Sequence, residues 1–288
     1  MDWSRRDWMR AAALAGFSPA ALPAARKLTG LHIGVTDWNL KLTAKTEAVA
    51  LAKRLGFEGV EVSLGRNPSG GRLPLDDSAI QQQYLDEARR HGIRLAGTCL
   101  DILHVNYLKS DKLGQKWLAD GIGITRKLDA KVMLLPFFGK GALETRQEMD
   151  YVGDILRELG PEAEKAGMIL GLEDTISAED NVRIMERSRS RAVLVYYDVG
   201  NSTLAGFDIL KEIRWLGKDR ICQMHLKDNP HFMGEGKIDF PGVVRAVAEI
   251  DFHGFANLET SAPSGSVEND MRRNLGFIRK LIEAERAA

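Results

Sequence analysis

The sequence predicts an α/β protein with the fold of a (β/α)₈ barrel, and three observations support this fold class. Short apolar runs recur along the chain. Each is followed by a segment whose apolar residues repeat with the helical period of about 3.6. Eight such units in about 260 residues match the usual size of this barrel. A doubly wound α/β sheet shows the same alternation, but eight units without an obvious second domain favour closure into a barrel.

The apolar runs are expected to form the strands, because short apolar runs between helical segments are typical of this barrel. In chain order they are Leu31–Thr36, Gly59–Ser63, Arg94–Cys99, Val132–Pro136, Met168–Glu173, Val193–Asp198, Ile221–Leu226 and Phe255–Glu259.

Amphipathic segments between these runs predict the helices. They include Lys45–Leu55, Ser78–His91, Lys116–Leu128, Arg146–Ala166, Phe207–Leu216, Phe240–Ile250 and Asp270–Ala284. Four glycines just before strands are expected to end the preceding helix, namely Gly56, Gly92, Gly167 and Gly254. Glycine readily adopts the left-handed conformation that closes a helix, so the chain can turn directly into the next strand.

The composition excludes several classes of protein. The chain has 288 residues with 40 basic and 40 acidic side chains, and this balance argues against nucleic acid or an anionic membrane as the main partner. Apolar residues at 44% and charged residues at 28% are typical of a globular protein. Cys99 and Cys222 are too few to staple the fold or to build a thiolate zinc site, and we expect both to be buried packing residues. No stretch reaches the roughly 18 apolar residues that a membrane span requires.

The N-terminal segment resembles an export signal. Arg5 and Arg6 precede a modest apolar stretch and then a run of small residues, the order found in twin-arginine signals. An amphipathic helix is the alternative, but two prolines would interrupt it. The sequence therefore predicts a signal peptide over residues 1–25 and a single barrel domain over residues 26–288. The expected location is the periplasm or the outside of the cell, with no membrane association once the signal is removed.

Residues that can bind a metal end the last four predicted strands. They are Glu173, Asp198, His225 and Glu259. Because the carboxyl ends of the strands of a barrel meet at one rim, we expect these side chains to lie together. Three carboxylates and one imidazole suit a divalent ion such as Mn²⁺, Mg²⁺ or Co²⁺ with open positions for substrate oxygens. A structural zinc is disfavoured, because the chain has no thiolate pair and the site would not be closed, and zinc is expected less than the other three ions.

Five motifs of the sequence resemble those of the xylose-isomerase-like TIM barrels. The motifs are Leu172-Glu173, Tyr197-Asp198-Val199-Gly200-Asn201, His225-Leu226-Lys227-Asp228-Asn229, the Gly234-Glu235-Gly236 segment with Asp239-Phe240, and Leu258-Glu259. This family includes tagatose 3-epimerase, hydroxypyruvate isomerase and inosose dehydratase, and the resemblance covers essentially the whole chain after the signal. It implies that Glu173, Asp198, His225 and Glu259 are the metal ligands. It also implies that Glu173 and Glu259 form the acid/base pair.

The resemblance implies a metal-dependent sugar isomerase or epimerase. Such an enzyme abstracts a proton next to a carbonyl, and the metal stabilises the resulting enediolate. A lyase or dehydratase acting on a 3-keto-glycoside or an inosose begins with the same step and stays an alternative. A non-catalytic sugar-binding barrel is the rival from another class, and the presence of both carboxylates argues against it. The expected partner is a small sugar or sugar derivative, and homo-oligomerisation is left open.

Five further residues are candidate substrate-binding groups, namely Lys227, His104, Asn201, Trp38 and Glu61. Four of them have a structural alternative: a salt bridge on the rim with Asp228 for Lys227, a helix cap for His104, core packing for Trp38 and a packing or hydrogen-bonding role for Glu61. Asn201 stands where several epimerases of the family carry a histidine, so the resemblance does not transfer a particular sugar specificity.

Overall fold

The computed structural model describes residues 28–288, which contain a closed barrel of eight parallel strands in chain order. The predicted signal peptide, residues 1–25, lies outside the described residues. The strands are β1 (Leu31–Thr36), β2 (Gly59–Ser63), β3 (Arg94–Cys99), β4 (Val132–Pro136), β5 (Ile169–Glu173), β6 (Val193–Asp198), β7 (Ile221–Leu226) and β8 (Gly254–Leu258). The barrel closes where β8 pairs with β1, from Leu31 opposite Gly254 to Val35 opposite Leu258.

Nine α-helices lie in the described part of the chain. They are α1 (Glu47–Leu55), α2 (Ser78–His91), α3 (Lys112–Lys127), α4 (Arg146–Ala166), α5 (Ala178–Ser188), α6 (Val199–Leu204), α7 (Ile209–Leu216), α8 (Phe240–Glu249) and α9 (Val267–Ala287). Two short 3₁₀ helices follow β3 and β4, at Asp101–His104 and Gly139–Gly141. No helix within residues 28–288 combines the length and apolar character needed to cross a membrane.

The barrel prediction is confirmed, and all eight predicted strands are present within one residue of their expected bounds. Helices α5 and α6 were not among the predicted segments. Three of the four helix-ending glycines, at positions 56, 92 and 167, have positive φ and cap their helices. The expectation for Gly254 is wrong, because α8 already ends at Glu249 and Gly254 is the first residue of β8.

Local sequence signals start several helices. At α4, the Thr145 side chain accepts the backbone N–H of Glu148, and the Glu148 carboxylate accepts the backbone N–H of Thr145. This reciprocal capping box satisfies two backbone donors that the first turn leaves unpaired. Asp77 at α2 and Ser177 at α5 cap their helices with the side chain alone, which accepts backbone N–H groups of the first turn.

Two apolar clusters build the core. The larger lies between the strands and the helices, and the smaller, inside the barrel, consists of Cys99, Val132, Leu134 and Tyr196. Both cysteines are free; Cys99 is buried as predicted and Cys222 is half-buried. Polar side chains, among them Glu61, Gln223 and Asn257, lie next to this inner cluster and are hydrogen-bonded to one another.

Strand register sets the level of the site. Asp198 in β6 lies opposite His225 in β7, and His225 lies opposite Asn257 in β8. In a parallel sheet, opposed residues point to the same face, so these three side chains share a layer inside the barrel. Glu259 follows two positions after Asn257 and therefore comes one layer nearer the rim.

Candidate active site

The structure brings the four predicted metal ligands together at the carboxyl-terminal rim. Each of Glu173, Asp198, His225 and Glu259 offers one ligand atom, and these atoms all lie within 4.8 Å of one another. His225 Nδ1 is the centre of the group, at 2.9 Å from a Glu173 oxygen, 3.5 Å from a Glu259 oxygen and 3.7 Å from an Asp198 oxygen. The arrangement follows from the strand order, since β5 to β8 are consecutive neighbours in the barrel.

Lys227 places a positive charge among these carboxylates. Its Nζ lies 2.6 Å from Asp198 Oδ2 and 2.5 Å from Glu259 Oε2. The alternative salt bridge with Asp228 is not formed, because Asp228 instead accepts three backbone N–H groups of the following loop at 2.8 to 3.1 Å. Lys227 therefore belongs to the wall of the site.

The buried charges strongly perturb one another. Burial raises the pKa of Glu173, and the nearby Glu259 and Asp198 raise it further against the opposing effect of His225. Burial alone would also raise the pKa of Asp198, but Lys227 and His225 bring it well below its usual range. Burial would lower the pKa of His225, yet the surrounding carboxylates raise it well above its usual value. The low pKa of Asp198 therefore depends on the positive charges of Lys227 and His225.

The donor set fits a divalent cation. Three carboxylates and one imidazole converge on one point, and oxygen-rich sets with a single nitrogen ligand suit Mn²⁺, Mg²⁺ or Co²⁺. The Lys227 ammonium already sits against two of the carboxylates, which shows that the cluster attracts a cation. Glu173, Asp198, His225 and Glu259 are therefore the residues that would hold the metal.

A buried polar network supports His225 from below. Glu61 in β2 is fully buried, and its Oε2 lies 2.8 Å from His225 Nε2. The same oxygen accepts hydrogen bonds from the Tyr196 hydroxyl at 2.8 Å and from Asn257 Nδ2 at 3.3 Å. A carboxylate on the far nitrogen of a metal-binding histidine fixes the orientation of the ring. Glu61 was a candidate substrate-binding residue, with a hydrogen-bonding role as the alternative. It lies beneath the cavity and contacts His225, so its position fits the alternative.

A cavity of about 520 Å³ opens above the ligand cluster, within the usual range for small-molecule sites. Trp38 and Asn201 line it, as expected for substrate-binding groups. Trp38 Nε1 donates to Glu259 Oε1 at 2.9 Å, and Asn201 Nδ2 lies 3.4 Å from Glu173 Oε1. Each of the two expected acid/base carboxylates therefore has its own neutral hydrogen-bond donor in the cavity wall.

His104 also lines the cavity, in the 3₁₀ helix after β3. Its ring stacks on Phe138, with the centroids 6.1 Å apart. Burial, together with the positive charge of Arg66, lowers the pKa of His104 to about 4. His104 therefore faces the cavity as a neutral imidazole at neutral pH.

The family comparison agrees with this geometry. A model of the xylose isomerase-like TIM barrel family matches residues 49–281, which is most of the chain. The chain belongs to this family. As a xylose isomerase-like barrel, it places its ionisable side chains at the rim where active sites of this fold lie.

Individual relatives of this xylose isomerase-like barrel are distant. A 2-epi-5-epi-valiolone 7-phosphate 2-epimerase of Actinoplanes sp. is 25% identical over 203 residues, which cover 69% of this chain and 73% of the relative. The structure of an L-ribulose 3-epimerase superposes with a TM-score of 0.72 at 16% identity, and covers 89% of this chain and 96% of its own. The structure of IOLI protein with a bound zinc atom has a TM-score of 0.68 at 14% identity, and covers 88% and 99%. These structures share the fold.

Several residues around the site of this family member were not predicted from the sequence. Arg66 and Asp101 line the cavity on the side of β2 and β3, and Tyr196 and Asn257 belong to the network beneath it. Asp101 could have been predicted, because it is an acidic residue close to the carboxyl end of a strand, as is Asp198. It lies two positions after the end of β3, and Asp198 is the last residue of β6. Arg66 carries a weaker one, because it lies in a loop whose path the sequence does not specify.

Proposed function

We propose that this protein is a divalent-metal-dependent isomerase or epimerase of a sugar or sugar-like polyol, acting by proton transfer at a carbon next to a carbonyl. The observation that carries this proposal is the convergence of Glu173, Asp198, His225 and Glu259 within 4.8 Å beneath an open cavity. The names of the relatives support it, since the curated relative and the L-ribulose enzyme are both epimerases.

Two of the four ligands serve as the acid/base pair in this proposal. Glu173 and Glu259 both line the cavity, whereas Asp198 is 2% exposed and His225 is fully buried beneath it. One glutamate takes the proton from the carbon, and the other returns a proton to the enediolate. A bound metal would polarise the carbonyl and the neighbouring hydroxyl of the substrate. Trp38 and Asn201 orient the two carboxylates through their hydrogen bonds.

The fate of the enediolate separates the proposal from its alternatives. Return of the proton to the neighbouring carbon gives an isomerase, and return on the opposite face gives an epimerase. Expulsion of a substituent gives a lyase or dehydratase acting on a 3-keto-glycoside or an inosose. A sugar-binding barrel without catalysis would exchange no carbon-bound proton.

The decisive experiment follows deuterium incorporation. The purified protein is assayed for bound metal and then incubated in D₂O with Mn²⁺, Mg²⁺, Co²⁺ or Zn²⁺ and a panel of free ketoses, ketose phosphates, keto-uronates, 3-keto-glycosides and inososes. We expect exchange of a proton next to the carbonyl, dependent on the metal and abolished in Glu259→Gln. Products identified by NMR assign the outcome. Exchange that proceeds without a metal, or no exchange with any compound, would overturn the proposal.

We also propose that the protein is exported. The paired arginines and the small residues near position 25 support a removable signal of the twin-arginine type. Mass spectrometry of protein from the periplasm or the medium should find an N-terminus close to residue 26. Replacement of Arg5 and Arg6 by lysine should retain the precursor in the cytoplasm, and an intact N-terminus on exported protein would contradict cleavage.

A further inference from the structure

Arg66 and Asp101 form a charged pair on the side of the cavity opposite the predicted metal ligands. Arg66 follows β2 by three residues and Asp101 follows β3 by two, and both line the cavity. Because the eight strands close in order, β2 and β3 lie across the barrel from β6 and β7, which carry Asp198 and His225. Arg66 and the predicted metal ligands Glu173 and Glu259 therefore line opposite sides of one cavity.

The Asp101 carboxylate holds the Arg66 guanidinium at its Nε atom. Arg66 Nε donates to Asp101 Oδ2 at 3.1 Å, and the Asp101 side chain is only 5% exposed while that of Arg66 is 52% exposed. Burial raises the pKa of Asp101, and the Ser63 hydroxyl and the Arg66 guanidinium oppose this shift. Within residues 28–288, the Nη1 and Nη2 groups of Arg66 donate to no other residue. The guanidinium is thus anchored through Nε and keeps two donor groups for a ligand.

The two cations of the cavity wall differ in what they have left to bind. Lys227 is held by two carboxylates of the metal cluster, at 2.6 and 2.5 Å. Arg66 has one carboxylate partner, which contacts only its Nε. Neighbouring His104 is neutral at neutral pH, so it adds no second charge. A guanidinium with a free pair of donors matches the two oxygens of a carboxylate or phosphate, whereas a sugar hydroxyl needs no permanent charge.

We propose that Arg66, anchored by Asp101, binds an anionic substituent of the substrate, a carboxylate or a phosphate, at the end remote from the reacting carbonyl. This inference rests on the proposed function and narrows its substrate class to acidic sugars, sugar phosphates or their cyclitol counterparts. Arg66 is then the residue that distinguishes an anionic substrate from a neutral one.

Arg72 offers a matched control within the same loop. Its Nε donates to Asp76 Oδ2 at 3.1 Å, the same kind of contact that Arg66 makes with Asp101. Arg72 is 65% exposed and is not part of the cavity wall. Replacing it by glutamine removes one basic residue from the loop without altering the proposed subsite.

The test measures binding rather than turnover. Titration calorimetry with the Mn²⁺-loaded full chain compares D-fructose, D-fructose 6-phosphate and D-fructuronate, which share one carbon skeleton. We expect at least one anion to bind about tenfold or more tightly than fructose, the effect of a charge-assisted hydrogen-bonded pair. Arg66→Gln should remove this preference, Arg66→Lys should retain part of it, and Arg72→Gln should leave it unchanged. The anion that is preferred identifies the group as phosphate or carboxylate.

Two safeguards keep the outcome clear. Arg66→Gln leaves Asp101 buried without its counter-charge, so the double variant R66Q/D101N is measured alongside it. Equal affinity for the three sugars, no binding of either anion, or an anion preference that survives in both variants would overturn the proposal. Deuterium exchange with the wider panel reports separately on the proposed function: exchange without anion preference removes only the subsite, and anion preference without exchange removes only the catalysis.

Discussion

The two halves of the cavity rim are built from different chemistry. The half formed by β5 to β8 presents a dense cluster of carboxylates around His225, with Lys227 ion-paired among them. The half formed by β1 to β4 presents Trp38, the stacked ring of His104 and the half-exposed Arg66. The first half has the groups needed to bind a metal and move protons. The second has aromatic and basic groups, to which we assign recognition of the shape and charge of a ligand in the proposals above. We call the half formed by β5 to β8 the reacting half and the half formed by β1 to β4 the selecting half.

Two side-chain hydrogen bonds connect the first four strands to predicted metal ligands, and we call them the lower and the upper bridge. Glu61 of β2 contacts His225 beneath the cavity, and Trp38, after β1, donates to Glu259 in the cavity wall. Both contacts tie a residue of the selecting half to a residue of the reacting half. Substitutions at the two halves and at the two bridges should therefore differ in what they change.

The largest effect is expected in the reacting half. Glu173→Gln and Glu259→Gln should each lower kcat about 10²- to 10⁴-fold, because an amide cannot take up or return the proton. The measurement is the rate of deuterium exchange at saturating Mn²⁺, with thermal unfolding as the check on folding. Glu158→Gln on the exposed face of α4 is the control. Near-normal exchange in either variant would remove that glutamate from the chemistry.

The next effect is expected at the lower bridge. Glu61→Gln should weaken Mn²⁺ binding about 10-fold or more, because His225 loses the carboxylate that orients its ring. Calorimetric titration of the metal measures this directly, without an assay of activity. Glu58→Gln, one residue before the start of β2, provides a control at the other end of the strand. Unchanged metal affinity in Glu61→Gln would show that the reacting half is independent of β2.

A smaller effect is expected at the upper bridge. Trp38→Phe removes the hydrogen bond to Glu259 and should lower kcat about 2- to 10-fold, the usual value of one such bond. Trp117→Phe removes a similar indole hydrogen bond, to Asn106, away from the cavity, and should leave kcat unchanged. Equal kinetic effects in the two variants would mean that loss of packing, and not the contact with Glu259, is responsible.

The smallest effect is expected in the selecting half and concerns stability. Folding lowers the pKa of His104 from its ordinary value of 6.5 to about 4, so the folded state favours the neutral ring. The resulting stability is fully present above pH about 6.5 and is lost as the pH falls toward 4. The melting temperature of His104→Asn should therefore fall less over this range than that of the wild type. An identical fall in both proteins would contradict the shift.

The sequence was most informative for the reacting half. The four ligands end consecutive strands, and the fold alone forces consecutive strand ends of a barrel to one place. Their assembly required no knowledge of side-chain direction beyond the alternation along each strand. The strand bounds were equally accessible, because each strand is a short apolar run between amphipathic helices. Gly254 was misjudged because the chain continues for four residues between α8 and β8.

The selecting half and the bridges were less accessible. Lys227 was expected either to bind a substrate or to form a salt bridge with Asp228. Its ion pairs with Asp198 and Glu259 depend on how its side chain turns back into the barrel. Arg66 lies in the loop between β2 and α2, and its pairing with Asp101 depends on the course of that loop. Loop paths follow from tertiary contacts more than from local propensity.

The sequence by itself determined a (β/α)₈ barrel with a carboxylate and imidazole cluster at one end, because periodicity and strand order are local properties of the chain. Only the tertiary structure decided that Glu61 meets His225 across 164 residues of sequence and that Arg66 is anchored by a buried Asp101. The physical reason is that the first contact joins β2 to β7 across the barrel, and the second joins two loops whose paths strand pairing does not set. They exist only once the barrel closes and its interior side chains compete for the same space.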